Sequence, residues 1–471
     1  MKYDYEGKLN ITRLRPSHRQ RSSIVDQFYS DRSRIIYCSS FRRLQQKAQV
    51  FSLEPNSSVR TRLTHSIEVS DLGRSLANKI GYQLLAHHII DKETMIPEIV
   101  AVVENACLLH DIGNPPFGHF GESAIQEWAE TNLRPLASAS GVEANNLFAL
   151  LTRDFVEFNG NPQGFRIISK LHCEKDLFSL NLTYATLLCS IKYARAAGEE
   201  KGPGIFKKAG YFQSERAQID RLYQEMQMEE HHRYPLTYIM EAADDIAYCL
   251  SDISDGIEKH IVTADQFLDE FIQLWDERYH EPCPMEIPSH VVNFGTDVSV
   301  IWARKIIKEG VQNYIDNHDS FYNGDAVQLI PPESLGRVLK VVKQVTRKLL
   351  YQSKEAESIE LTGYAVLSGL LKHFGRLLSL SYEDFHSLIE DKKSPSGNPL
   401  EMEKRLFHRI DTRFVTIYRV ESQTLDATDP SFPQREWWLR CHMIIDHISG
   451  MTDDSALATY QMLIGIKTSI Y

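Results

Sequence analysis

The spacing of apolar residues along the chain predicts helices almost throughout. Between Thr61 and Gly81 the apolar residues recur at intervals of three and four, which places them on one helix face. The stretch Glu98–Asp111 is apolar almost all round, as expected for a helix in a protein core. Pro97 can serve as the first residue of that helix and Gly113 as its stop. Because the alternation typical of strands is rare, the pattern predicts an all-α protein.

Similar periodicity predicts further helices and one boundary between regions. The further helices are Leu177–Ala196, Glu215–Met228, Pro235–Glu258, Ala264–Trp275, Val298–Tyr314, Leu335–Leu350, Ser358–Leu377 and Glu436–Ile448. Glycine and proline residues interrupt the pattern at Glu281–Gly295, which we interpret as the boundary. We therefore expect a catalytic core with an N-terminal arm at residues 1–280 and a C-terminal helical region at residues 281–471.

Composition narrows the class of protein. The hydrophobic fraction of 42% and charged fraction of 24% are those of a globular protein with a core. No apolar run reaches the roughly 18 residues needed to cross a bilayer, and the N-terminus does not resemble a secretion signal. The cysteines never form a Cys-x-x-Cys pair, and several sit in apolar stretches typical of buried thiols. A reduced, cytoplasmic protein without a membrane partner is expected.

The charge distribution bears on the ligand. A net charge of -11 argues against a surface built for bulk nucleic-acid binding. Basic residues are nevertheless concentrated near the N-terminus, at Arg32, Arg34, Arg42, Arg43, Lys47, Arg60 and Arg62. This cluster is either a solvated basic face or a local pocket for a small polyanion, because guanidinium groups match phosphate oxygens.

A histidine and an aspartate end the apolar helix, at His110 and Asp111. Buried polar side chains are costly unless something pairs with them, so this position suggests a bound cation. His65, on the first periodic helix, and Asp244, on a third helix, are candidates for the remaining ligands, with Asp245 as a competitor for the last role. Two imidazoles and two carboxylates suit a divalent ion and leave positions for water and a phosphate oxygen.

A second constellation follows in the turn after that helix. His119 and Glu122 are three residues apart, so they share one face of the next helix. A histidine oriented by a carboxylate beside a metal site is an acid–base arrangement. The alternative is a capping carboxylate beside a structural histidine. By contrast, His318-Asp319 lies in a polar stretch and is predicted to be at the surface.

The order His65, His110-Asp111, Asp244 resembles the H…HD…D ligand set of the HD superfamily of metal phosphohydrolases. Longer motifs resemble bacterial deoxyguanosinetriphosphate triphosphohydrolases (dGTPases), from about Arg13 to near the C-terminus. These motifs are Arg34-Ile35-Ile36, Phe41–Gln45, Lys47, Gln49-Val50-Phe51, Val59–Ser66, His110–Glu122 and Asp446–Asp453. The resemblance implies an all-α HD-domain helical core with a C-terminal helical extension.

The resemblance also implies a reaction and a set of site residues. The expected reaction is hydrolysis of dGTP to deoxyguanosine and tripolyphosphate, with one divalent ion per subunit, Mn²⁺ or Mg²⁺. By position in the motifs, the metal ligands would be His65, His110, Asp111 and Asp244, and the catalytic pair His119 and Glu122. The substrate-binding residues would be Gln49, Arg62, Lys192, Tyr193, Tyr248, Asp252 and Arg405.

Several alternatives remain open from the residues. His119 could orient the attacking water or protonate the leaving oxygen. The pocket could act on a broader range of deoxynucleoside triphosphates, act as a nucleotidase, or sense a nucleotide or single-stranded DNA without catalysis. A purely structural helical protein would leave the four buried ligand candidates without partners. Family precedent suggests a homo-oligomer, a hexamer in particular, and leaves single-stranded DNA open as an effector.

Overall fold

The computed structural model describes residues 3–17, 22–172, 178–288 and 291–466. Most of these residues are helical, which confirms the all-α class. The first half contains α1 (Tyr5–Lys8), α2 (Ile24–Tyr37), α3 (Ser39–Arg43), α4 (Arg62–Ala86), α5 (Met95–Leu109), α6 (Gly118–Ala139), α7 (Asn146–Leu151), α8 (Arg153–Val156), α9 (Gly160–Arg166), α10 (Tyr184–Cys189), α11 (Arg216–Glu225) and α12 (Thr237–Glu258).

The second half continues the helical pattern. It contains α13 (Ala264–Tyr279), α14 (Val300–Asp316), α15 (His318–Asn323), α16 (Gly336–Thr346), α17 (Lys354–Phe374), α18 (Tyr382–Ile389), α19 (Glu401–Phe407), α20 (Thr412–Gln423), α21 (Phe432–Ser449) and α22 (Asp453–Leu463). Within the described residues, the strands are a short parallel pair, β1 (Arg195–Ala196) and β2 (Ala209–Tyr211). Wider π-helical turns occupy Ile167–Leu171, Gly295–Ser299 and Arg347–Tyr351.

Three helices, α4, α5 and α12, pack together, and the predicted metal ligands lie on α4 and α12 and directly after α5. α4 begins where predicted, because the Thr61 hydroxyl accepts the Thr64 backbone N–H in a reciprocal capping box. α5 starts at Met95, slightly earlier than predicted, and is buried on nearly every side. α12 also buries most of its residues, so these helices form the centre of the protein.

The predicted helix Leu177–Ala196 is wrong in its length. Leu177 itself lies outside the described residues, and only Tyr184–Cys189 is helical within the remainder. Thr183 caps the short helix, and its backbone N–H and hydroxyl both donate to the buried carboxylate of Asp31. These tertiary hydrogen bonds hold the preceding residues outside the helix, which periodicity alone could not reveal.

The prediction for His318 is also wrong. The imidazole is buried, with Nε2 2.9 Å from the hydroxyl of Tyr5. The Tyr3 and Tyr5 rings pack against it. Because this cover comes from the opposite end of the chain, the polar residues next to His318 in sequence gave no sign of it.

The core is continuous across the predicted domain boundary. One cluster of buried apolar residues runs from Tyr5 to Ala456, and α17 and α21 of the second half both contact α6 of the first. The division between residues 280 and 281 stays a prediction. In the parts of the chain that the structure describes, no helix is long and apolar enough to cross a membrane.

Candidate active site

The four predicted metal ligands converge on one point. His65 lies in the first turn of α4, His110 and Asp111 follow α5, and Asp244 lies on α12. His110 Nε2 is 3.5 Å from Asp244 Oδ1 and 3.6 Å from Asp111 Oδ1. His65 Nε2 is 3.6 Å from the same Asp244 oxygen. Four side chains from three distant parts of the chain therefore surround a common centre.

The donor set fits a divalent cation. The Nε2 atoms of His65 and His110 are buried and have no hydrogen-bond partner among the described residues. His110 Nδ1 lies 2.7 Å from the carbonyl of Cys107, so Nδ1 donates there and Nε2 keeps a lone pair for a metal. Ligand atoms of His65, His110 and Asp111 lie within 4.8 Å of one another. Buried nitrogens without partners beside carboxylates are the chemistry of a metal site.

The competing aspartate, Asp245, points away from this cluster. Its carboxylate lies 2.9 Å from the Lys343 ammonium on α16. Neighbouring residues on a helix diverge by roughly 100°, so only one of the pair can face the histidines. The structure brings Asp244 to that position.

Cations at the cluster keep its carboxylates ionised. Arg62 Nη1 donates to Asp111 at 2.8 Å, and Lys192 Nζ donates to Asp244 at 2.9 Å. Burial by itself raises the pKa of Asp111, but Arg62 and the two nearby histidines outweigh burial and lower the pKa to about 2. Lys192 and the histidines likewise hold the pKa of Asp244 well below its ordinary value, against burial. Both aspartates are therefore charged at neutral pH.

His119 and Glu122 form a hydrogen-bonded pair at the rim of the same pocket. His119 Nδ1 lies 3.0 Å from Glu122, and the imidazole is 74% exposed whereas the carboxylate is buried. Asn159 Nδ2 and the backbone N–H of Gly160 also donate to Glu122, at 3.0 and 2.7 Å. Burial raises the pKa of Glu122, but the hydrogen bond and charge of His119, together with Lys208 and the backbone N–H of Gly160, lower it overall. Glu122 does not cap its own helix, but it accepts the first backbone N–H of α9 and also holds His119 through a hydrogen bond.

A tight turn places this pair beside the metal ligands. Gly118 has a φ of +55°, and a Cβ there would lie 2.8 Å from Arg62 Nη2. At Gly113, a Cβ would lie 2.1 Å from the carbonyl oxygen of Gly160. Both glycines therefore permit a close approach between segments, which explains their positions in the motif.

The cluster and the pair open into one cavity of about 430 Å³, a volume typical of small-molecule sites. Among the predicted substrate-binding residues, those that line the cavity are Gln49, Arg62, Lys192, Tyr193 and Tyr248. Asp252 is buried behind the wall, where it accepts a hydrogen bond from Tyr351. His65 is fully buried beneath the cavity.

Arg405 is not brought to the cavity of its own chain. Its side chain is 67% exposed on α19 and bonds to Glu401 one turn earlier.

The dense N-terminal basic cluster is also dispersed, because Arg34, Arg42 and Arg43 donate to backbone carbonyls. Of that cluster, Arg62 alone lines the described cavity. The closeness of these residues in the sequence therefore suggested more basic side chains in the pocket than the structure places there.

Several residues of the cavity were missed from the sequence. They include Asn159, Asn161, Lys208, Lys343, Tyr351 and Glu360. The two asparagines lie in a Gly- and Pro-bearing break, a composition that marks a turn and so gave a weak signal. The others carry no motif of their own, because tertiary packing alone brings them to the site.

Lys47 supports the site from behind. Its ammonium is buried and donates to the carbonyls of Asn114, after the His-Asp pair, and Ser449, at the end of α21. Burial lowers the pKa of Lys47 to about 7, with Asp453 opposing the change. Lys47 therefore ties the loop after the ligands to the end of α21.

The helical core and its histidine–carboxylate cluster define a class of protein. A family model for the HD domain matches residues 62–157, which include His65, His110, Asp111 and the His119–Glu122 pair. The chain thus contains an HD domain, elaborated by the long C-terminal helical extension.

Relatives that match nearly the full length of this chain identify its family. The deoxyguanosinetriphosphate triphosphohydrolase of Enterobacter sp. (strain 638) is 36% identical over 98% of this chain and 99% of its own. Those of Serratia proteamaculans (strain 568) and Klebsiella pneumoniae are 35% and 34% identical, over 98% and 99% of this chain and 99% and 100% of their own. The chain belongs to the deoxyguanosinetriphosphate triphosphohydrolase family.

Proposed function

We propose that this chain hydrolyses dGTP to deoxyguanosine and inorganic tripolyphosphate, with one divalent ion per subunit, Mn²⁺ or Mg²⁺. The observation that carries the proposal is the meeting of the four ligand side chains beside the His119–Glu122 pair in one cavity. The relatives named as dGTP triphosphohydrolases support the choice of substrate.

His65, His110, Asp111 and Asp244 would hold the ion, which when bound supplies a Lewis acid for a phosphate oxygen. Arg62 and Lys192 flank this cluster and bring positive charge to the cavity wall. Phosphoryl transfer depends mainly on positioning and on neutralising charge, which suits these cations to hold the phosphates.

His119 is the proposed acid–base group. Because Nδ1 donates to the ionised Glu122, Nε2 is left to face the cavity. Nε2 can then orient the water that attacks the α-phosphorus or pass a proton to the departing 5′-oxygen. Both roles require the Glu122 carboxylate to hold the ring in one orientation.

The sugar would be recognised along the part of the cavity wall that α12 and the Gln49 segment form. Gln49 and Tyr248 line the cavity there, with Asp252 directly behind. Tyr248 and Asp252 follow Asp244 at successive turns of α12, so one helix face carries both the metal ligand and the proposed sugar contacts.

The test is incubation with each of the four deoxynucleoside triphosphates and Mn²⁺, followed by identification of the phosphate product. Tripolyphosphate is the expected product from dGTP. The Asp244→Asn variant should lose both Mn²⁺ binding and the release of tripolyphosphate. Asp245→Asn is the matched control for metal binding, because Asp245 pairs with Lys343 and not with the histidines, so this variant should still bind Mn²⁺.

The alternatives give different products. Release of pyrophosphate or single phosphates would favour a nucleotidase, and equal rates on all four bases would favour a broader triphosphohydrolase. Tight dGTP binding with no turnover at any metal concentration would favour a sensor and would overturn the proposal.

A cytoplasmic homo-oligomer, a hexamer by family precedent, with single-stranded DNA as an effector, is part of the same proposal. Sedimentation velocity of the purified chain tests the assembly. Activity with and without single-stranded DNA, at several salt concentrations, tests the effector, since binding through phosphates weakens as salt rises.

A further inference from the structure

The buried carboxylate of Glu122 accepts three hydrogen bonds, and one of the donors is the side chain of Asn159. Oε1 accepts the backbone N–H of Gly160 at 2.7 Å. Oε2 accepts both Nδ1 of His119 and Nδ2 of Asn159, each at 3.0 Å. The imidazole and the amide therefore share the charge of one carboxylate oxygen.

The orientation of the Asn159 amide is fixed by its other contacts. Asn159 is buried and caps α9, where its Oδ1 accepts the backbone N–H of Asn161 at 3.2 Å and the side-chain amide of Asn161 at 2.6 Å. Because Oδ1 faces α9, Nδ2 must face Glu122. An amide nitrogen can only donate, so Asn159 stabilises the ionised form of Glu122.

The ring of His119 depends on this carboxylate for its direction. The imidazole is 74% exposed, so packing does little to hold it. Among the described residues, Glu122 is the hydrogen-bond partner of its side chain. Whatever fixes the Glu122 oxygen therefore also fixes the ring of His119.

Other charged side chains also face the pair, from other segments of the chain. Lys208 and Arg62 bring positive charge towards Glu122, and Glu360 on α17 brings negative charge towards His119. None of these three side chains is altered by a substitution of the amide, so they act equally in the wild-type chain and in the variants described below.

We propose that Asn159 is a positioning residue that sets both the orientation and the proton affinity of His119. Its amide holds Oε2 of Glu122 in place and takes up part of the charge that would otherwise stabilise the protonated imidazole. This inference rests on the proposed function, because it takes His119 as the acid–base group.

The test is Asn159→Asp, which keeps the shape of the side chain and removes its donor. Asp and Asn are equally good caps, so α9 keeps its capping hydrogen bond. A second carboxylate beside Glu122 should favour the protonated imidazole, so the limb of the kcat–pH profile that reports His119 should move up by about one pH unit. The maximum kcat should fall about tenfold, as expected for one hydrogen bond to a charged group.

Asn145→Asp is the matched control. Asn145 caps α7 in a similar way, by accepting the backbone N–H of Phe148 at 3.0 Å, and it does not line the cavity. Its kcat–pH profile should match that of the wild-type chain. An unmoved limb in Asn159→Asp, with kcat lowered equally at every pH, would show that the amide only supports the fold and would overturn the proposal.

A second readout does not require turnover. Diethyl pyrocarbonate modifies neutral imidazoles, and the exposed ring of His119 is accessible to it. Mass spectrometry of the peptide that contains His119 gives the extent of modification at each pH, in the metal-loaded protein without substrate. The midpoint of this pH dependence should be higher in Asn159→Asp than in the wild-type chain and in Asn145→Asp.

Equal midpoints in the three proteins would overturn the proposal. A raised midpoint in a chain that does not hydrolyse dGTP would support the role of Asn159 even though the proposed function had failed. If Asn159→Asp does not fold, Asn159→Ser replaces it, because serine can cap α9 but is too short to reach Glu122. Its midpoint should rise by a smaller amount, and an unchanged midpoint would again overturn the proposal.

Discussion

The carboxylate of Asp453 accepts the backbone N–H of Phe117 at 3.0 Å, although 336 positions separate the two residues. Its other oxygen accepts the N–H of Ala48 at 3.1 Å. Phe117 has a φ of +60°, a left-handed conformation that is costly for a bulky side chain and needs such support. Asp453 thus holds both edges of the cavity, next to Gln49 on one side and His119 on the other.

Asp453→Asn should lower kcat/KM for dGTP about tenfold. An amide has one accepting oxygen where the carboxylate has two, so one of the two N–H groups loses its partner. Asp454→Asn, at the exposed neighbouring position, is the control. Steady-state kinetics check the prediction, and equal activity of the two variants would contradict it.

The His119→Ala variant should still bind the metal, but its turnover should fall by a factor of about 100 to 10,000. The reason is that the imidazole acts on protons and is not a metal ligand. Mn²⁺ binding by calorimetry and single-turnover hydrolysis of dGTP measure the two properties. His386→Ala removes a surface histidine that is also paired with a glutamate, Glu390, and should leave both unchanged. Wild-type turnover in His119→Ala would exclude the proposed role.

Arg166→Met should lower the free energy of unfolding by about 3–5 kcal/mol. The guanidinium is buried and donates to Asp446 on α21 and to Glu215, each at 2.8 Å. Its removal takes away the cation that pairs with the buried Asp446 and leaves Glu215 paired with Lys170, 3.2 Å away. Arg376→Met breaks an exposed pair with Glu403 and should cost less than about 1 kcal/mol. Chemical denaturation compares the variants, and similar losses would contradict the expectation.

Asp252 should make the stability of the protein depend on pH. Burial raises its pKa from 3.8 to about 7, with Tyr351 opposing the shift. Between these values the folded protein keeps a proton that the unfolded chain releases, so this group's contribution to stability falls as the pH rises from about 4 to 7. The difference in free energy of unfolding between Asp252→Asn and the wild-type chain should therefore shift in favour of the variant, by about 3 kcal/mol from pH 5 to pH 8. Thermal or urea unfolding at the two pH values checks this, and a constant difference would contradict it.

The parts of the site that were predictable are those with a local signature. His110 and Asp111 stood out because polar residues at the end of an apolar helix are unusual, and His119 and Glu122 because helical spacing puts them on one face. Tyr351 had no such signature. Its chemistry comes from Tyr248 and Asp252, which lie far away in the sequence.

The sequence by itself determined the helical class, the positions of most helices and the identity of the candidate ligands. These follow from helical periodicity, from capping and from the cost of burying polar side chains, all of which can be read from residues within one or two helical turns of each other. The tertiary structure decided which of Asp244 and Asp245 faces the histidines, that Arg405 stays outside the cavity, and that Asp453 and Tyr351 support it. Apart from that of Arg405, which pairs within its own helix, those outcomes depend on contacts between segments about a hundred to four hundred residues apart. Only the packing of helices against one another specifies such contacts.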